Sequence, residues 1–165
     1  MSDRKEITKF LGNLLENQYF SGIGKYWAKE VSVDLGSTEK AKRVDYMQFV
    51  PENQCSVSAL EKGSFFCYEI KSCKADIYSG NGLNFLGEKN YIVTTAQCYK
   101  EIYPDLKNRK LDKYIKENYP DSSLHYGIIV AIPTYSEVVE EIKNPTKFDC
   151  QEGKWKLCVA KRCSA

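Results

Sequence analysis

The run Tyr126-Gly127-Ile128-Ile129-Val130-Ala131-Ile132 carries no charged side chain and ends at Pro133. An apolar run of this length bounded by proline reads as a β-strand covered on both faces. Such a strand demands layers above and below it, which antiparallel sheets with one wet face do not supply. The segments around it provide those layers. Residues 3–17 place Ile7, Phe10, Leu11, Leu14 and Leu15 on one helical face, with Asp3 and Glu6 spaced as a capping box. Residues 25–33, 43–50 and 64–71 are rich in aromatic and β-branched side chains and read as three strands, the second ended by Pro51.

Further along, Ser72 is placed to cap a helix over 72–78, which Ser79-Gly80-Asn81-Gly82 must end. The spacing predicts a short helix over 83–89, a strand over 90–94, and helices over 96–103 and 105–118 interrupted at Pro104. The strand at 126–132 follows, then an acidic helix over 134–142 and a last strand over 154–161. Two stretches read as connections: a polar turn over 34–42 around Gly36, and a loop over 52–63 with room for one helical turn. The order is α, three strands, α, strand, α, strand, α, strand. It predicts one domain over 1–165, an α/β (α+β) chain with a central mixed sheet flanked by helices. No repeat or linker divides the chain.

Composition narrows the function classes. The net charge of +2 is too small to argue for nucleic acid by itself, although Lys and Arg cluster over 40–43, 107–116 and 154–162. No apolar run is long enough for a membrane helix, and the first residues lack a signal-peptide core. The seven cysteines include no CxxC pair, and His125 is the one histidine, so a zinc site is disfavoured. Free thiols fit a reducing compartment, and the expected location is cytoplasmic.

The chemistry concentrates in two strands. In Phe65-Phe66-Cys67-Tyr68-Glu69-Ile70-Lys71, an apolar run ends in an acid and a base two residues apart. Residues i and i+2 of a strand share a face, so Glu69 and Lys71 point together while Ile70 turns away. Buried charges of this kind are costly unless they pair or bind something. Asp45, in the preceding strand, adds a second acid. Two carboxylates can hold Mg²⁺ or Mn²⁺ with positions left open to water and phosphate, and the Ile70 carbonyl is a candidate third oxygen. Lys71 would then orient the attacking water, help lower its pKa or stabilise charge on the phosphate. The plainer alternative is a Glu69–Lys71 salt bridge on an ordinary strand.

An Asp in one strand followed by Glu-x-Lys at the end of the next resembles the signature of the PD-(D/E)XK nuclease superfamily. Arg43-Val44-Asp45 and Glu69-Ile70-Lys71-Ser72-Cys73-Lys74-Ala75-Asp76 further resemble its MmcB-like, DNA-repair-associated branch, with Ser72 one place early. The likeness spans about residues 5–95. It implies a restriction-endonuclease-like core and a Mg²⁺-dependent DNA endonuclease or nuclease-like DNA-processing protein. Asp45 and Glu69 would be the metal ligands and Lys71 the base or water-orienting group. In that family an acid of the first helix often joins the metal; Glu16 is the candidate here, with Glu30 competing. The implied partner is DNA, with a homodimer as one option. The rival reading keeps the fold as a nucleic-acid- or protein-binding module without turnover.

Other features read as structural. Cys67 shares the face of Glu69 but has no histidine near it in sequence, so packing is expected. Tyr68, Tyr78 and Tyr91 suit a core as well as base stacking. Asp76 suits a cap as well as a site, and Gly80-Asn81-Gly82 suits a tight turn as well as a mobile cover.

Overall fold

The computed structural model describes residues 3–33, 42–53 and 56–163, with nothing stated of the side chains of 59 and 60. The chain runs α1 (Arg4–Tyr19), β1 (Tyr26–Val33), β2 (Lys42–Pro51), α2 (Val57–Glu61), β3 (Gly63–Ile70) and α3 (Lys74–Ile77). It continues as β4 (Lys89–Thr95), α4 (Ala96–Lys107), α5 (Lys110–Asn118), β5 (Gly127–Pro133), α6 (Val138–Lys143) and β6 (Trp155–Lys161). The polar turn expected over 34–42 lies outside the described residues except for Lys42, as do Lys40 of the basic cluster and Cys55.

All six strands form one sheet in sequential order, β1-β2-β3-β4-β5-β6. The first three are an antiparallel meander, β3, β4 and β5 are parallel, and β6 returns antiparallel to β5. The expected mixed sheet is the one observed. Every residue of β5 is buried, as its unbroken apolar run requires of a strand covered on both faces.

The two covers are unequal. On one face α1 docks Leu11 and Leu15 against Tyr46, Tyr68, Ile70, Val93 and Ile129. On the other, α4 and α5 bury Tyr99, Ile102, Leu111 and Ile115 against Ile92, Ile128 and Val130. The capping box forms as its spacing predicts: the Glu6 N–H donates to Asp3 at 2.8 Å, and the Asp3 N–H to Glu6 at 3.3 Å.

The acidic helix expected over 134–142 is found at Val138–Lys143, and three further expectations need correction. The helix expected to break at Pro104 continues to Lys107, because its buried face (Cys98, Tyr99, Ile102, Asp105) runs straight across the proline. Proline there removes one hydrogen bond, and burial outweighs it. The break falls instead at Arg109, which takes a left-handed φ of 61°. No helix forms over 83–89: Leu83 and Phe85, two residues apart, are both buried, and irregular chain delivers both to the core. The helix expected over 72–78 shrinks to Lys74–Ile77 and starts after Cys73. Ser72 does not cap it, since both its N–H (2.9 Å) and its hydroxyl (3.0 Å) donate to Asp76.

Candidate functional site

β2 and β3 are in register through Tyr46 opposite Tyr68. One step further along the antiparallel pair, Asp45 faces Glu69, so the two carboxylates leave the same face of the sheet. At this point the ladder changes partner. The Lys71 N–H bonds the Val93 carbonyl of β4 at 2.9 Å, so the preceding N–H, that of Ile70, points back toward β2. There it meets the Asp45 carboxylate at 2.9 Å. That bond holds Asp45 at the end of β3, beside Glu69. The alternation itself is set by the cores: Val44, Tyr46, Tyr68 and Ile70 are buried in the direction of α1, which turns Asp45, Glu69 and Lys71 the other way.

Glu69 is 1% exposed, and neither carboxylate oxygen meets a hydrogen-bond donor. Burial, and then the charge of Asp45, push its carboxyl well above the ordinary value; Lys71 only partly offsets them. Asp45 and Glu69 can share a hydrogen bond only while one of them is protonated. Among the described residues no ion pair joins Lys71 to Glu69. Lys71 is 5% exposed, donates to the Asn81 carbonyl at 2.6 Å and lies 4.0 Å from Asp76. The Glu69–Lys71 salt bridge that would have explained the pattern blandly is therefore not made.

Asp76 is drawn into the same cluster. Burial alone would raise its carboxyl, but the Ser72 N–H, Lys71, the Ser72 hydroxyl and Arg4 hold it below the ordinary value. The Arg4 guanidinium reaches it from the start of α1 at 3.0 Å. A cavity of about 990 Å³ opens over these groups, bordered by Arg4, Lys42, Arg43, Asn81, Gly82 and Tyr119 as well as the three predicted residues. Lys42 and Arg43 on its rim pair with Asp121 (2.6 Å) and Glu30 (2.6 Å).

Glu16 does not border that cavity. It accepts from the Tyr46 hydroxyl at 2.6 Å, on the α1 side of the sheet. With Glu30 it lines a smaller groove of about 370 Å³ that reaches Asp45 from behind. Glu30 has a left-handed φ of 56° in mid-strand, a conformation that costs a non-glycine residue energy. Among the described residues no group of three or more His, Cys, Asp or Glu gathers as a metal cage. The candidate donor set is two carboxylates with the Ile70 carbonyl, the sparse oxygen set that suits a hydrated Mg²⁺.

The remaining candidates fall elsewhere. The Cys67 thiol is pushed up to about 11 by burial and then by the Glu69 charge, which leaves it a poor nucleophile at neutral pH. Tyr68 and Tyr91 stack on each other at 5.5 Å on the α1 side, and Tyr78 donates to Asp105 at 2.6 Å. Sequence reasoning missed Arg4 and Tyr119. The Arg4 contact depends on where α1 lands, and Tyr119 enters from the end of α5, so no local signal announces either. Gly80 and Gly82 did carry a signal, as a glycine pair flanking Asn81.

No protein-family model, curated protein or solved structure matches the chain. Among the described residues no helix is long and apolar enough to cross a membrane.

Proposed function

We propose that this chain is a metal-dependent phosphodiesterase acting on DNA, built on a restriction-endonuclease-like core. One observation carries the reading: a fully buried, donorless carboxylate at Glu69, facing a second carboxylate at Asp45, with Lys71 one step beyond on the same face. Leaving such a group unsatisfied costs on the order of 1–3 kcal/mol. A chain that needed only packing at this position would place an apolar side chain there. The order of α1, a three-strand meander and a parallel β4 supports the same reading.

Asp45 and Glu69, with the Ile70 carbonyl, would hold Mg²⁺ or Mn²⁺. Bound there, a hard cation supplies charge neutralisation and a more acidic water. The chain's own residues do the rest. Lys71 orients the attacking water and stabilises negative charge that grows on the phosphate oxygens. Water oxygen forms the new P–O bond as one ester P–O bond breaks; the proton that the water gives up passes to solvent, and the departing alkoxide takes one up from solvent. Arg4, Lys42 and Arg43 exchange their carboxylate partners for phosphate oxygens as the strand enters.

A binding module without turnover is the second reading. It draws support from Lys71, whose ammonium is engaged by the Asn81 carbonyl. Cleavage of supercoiled and linear DNA in Mg²⁺ or Mn²⁺, by wild type, Asp45→Ala and Lys71→Ala, separates the two. Cleavage by wild type alone supports the nuclease. DNA binding by all three with cleavage by none supports the module.

A further inference from the structure

The cavity leads to Glu69 but does not reach its oxygens. Both are sealed from water as well as from donors. The turn at Ser79–Gly82 lies against one of them, Oε2. A Cβ placed on Gly82 would stand 3.0 Å from the Lys71 Nζ and 3.2 Å from Glu69 Oε2, so the bare glycine backbone lies directly on the site. The turn is bounded by two fully buried anchors, Ile77 and Leu83, while Ser79, Gly80 and Asn81 are exposed. Gly80 and Gly82 take left-handed φ values of 87° and 88°, which let this short segment change course between its anchors. Among the described residues, one hydrogen bond ties Gly80–Gly82 to the rest of the chain, the bond from Lys71 to the Asn81 carbonyl.

From this we infer that the Ser79–Gly82 turn is a lid latched by Lys71, which a divalent cation must lift to reach Glu69. The inference rests on the reading that Asp45 and Glu69 take a cation. A hydrated cation keeps several waters, and a carboxylate sealed under a glycine backbone has no room for them. Entry therefore requires Gly82 to move off Glu69. The same movement breaks the Lys71–Asn81 bond. Lys71, released from Asn81 and left with Asp76 at 4.0 Å, can then face water and phosphate only once the cation is in place. Apparent cation affinity is lowered by the share of molecules that stay closed. The latch thus accounts for the feature that favoured an inactive module, the engaged ammonium.

Gly80→Ala separates this lid from a merely structural turn. Nothing lies within 4 Å of a Cβ at Gly80, so the variant adds no clash and penalises only the left-handed φ of the closed turn. Mn²⁺ affinity is read by electron paramagnetic resonance for wild type, Gly80→Ala and Asp45→Asn. Reductive methylation of Lys71, read by mass spectrometry, reports whether its ammonium is released. The lid predicts that Gly80→Ala binds Mn²⁺ about 5- to 30-fold more tightly than wild type. It also predicts that Lys71 is methylated faster when Mg²⁺ saturates wild type, and faster in Gly80→Ala without any cation. Mn²⁺ binding that needs Asp45 but is unchanged or weaker in Gly80→Ala, with Lys71 equally protected throughout, overturns the lid and leaves the metal site standing. Absence of any Asp45-dependent Mn²⁺ binding overturns the metal site and the lid together.

Discussion

Glu69 and Glu141 are two glutamates buried to nearly the same degree, at 1% and 5% exposure, in opposite circumstances. Glu141, in α6, accepts from the Ser136 hydroxyl (2.8 Å), the Thr146 N–H (2.8 Å) and the Thr146 hydroxyl (3.0 Å). Burial alone would raise its carboxyl; the three donors outweigh that and hold it below the ordinary value. Glu69 makes no hydrogen bond and stands beside another acid; burial and the Asp45 charge outweigh Lys71 and the Asp45 N–H, and its carboxyl is driven the other way. Both are shielded from solvent, but Glu69 lies far deeper in the fold, so depth of burial and the surrounding donors together decide the character of each. Glu141 is a carboxylate that three donors keep charged in order to clamp a loop. Glu69 is a buried carboxyl whose two oxygens make no hydrogen bond.

That contrast can be broken most sharply by activity. Lys71→Ala and Asp45→Ala are expected to lower DNA cleavage by about 10²- to 10⁴-fold. Glu141→Ala, assayed where it remains folded, should cut at the wild-type rate; equal losses at both places would erase the distinction. The next effect is in stability. Removing the Glu141 side chain leaves three part-buried donors without their acceptor, and urea denaturation should show a loss of about 1–3 kcal/mol. A loss under about 0.5 kcal/mol, the range of ordinary surface changes, would mean that the clamp holds nothing.

Cation linkage sharpens the comparison from the other side. Mg²⁺ at ten times its dissociation constant should stabilise wild type by about 1.4 kcal/mol. Thermal melts should show this shift vanish in Asp45→Ala and persist in Glu141→Ala. The smallest effect belongs to Glu69→Gln, which without metal is expected to be more stable than wild type by on the order of 1 kcal/mol near pH 8. The sign follows from linkage. With its carboxyl raised in the fold, Glu69 keeps its proton while the unfolded chain loses one above the ordinary value of 4.5. Wild type therefore loses stability as pH rises through that window, and the glutamine variant does not. Glu141 behaves oppositely. Its carboxyl is lowered in the fold, so its contribution is present above 4.5 and lost as pH falls through the folded value. Denaturation curves across pH that show the same slope for both glutamates would remove the contrast.

Local patterning carried much of this molecule. Period-2 alternation in β2 and β3 was enough to put Glu69 and Lys71 on one face, and the apolar run of β5 was enough to require a cover on both sides of the sheet. The capping box of α1 was legible because it is a contact between residues three apart. Where the reading failed, a distant neighbour had overridden a local rule. Pro104 should have ended a helix, but the buried face of α4 runs through it. Residues 83–89 should have been helical, but the core takes Leu83 and Phe85 from irregular chain. Ser72 should have capped α3, but Asp76 uses its donors instead.

The sequence by itself determined which side chains could do chemistry and which face of each strand they would leave, because both follow from covalent order and the pleat. Tertiary structure alone decided three further things. It placed Asp45 opposite Glu69, because register comes from pairing between strands. It brought Arg4 from α1 and Tyr119 from the end of α5 to one cavity, because helix docking is set by two cores far apart in sequence. It also left Glu69 without a donor beneath a glycine turn, because a missing partner can be recognised only when every neighbour is in place.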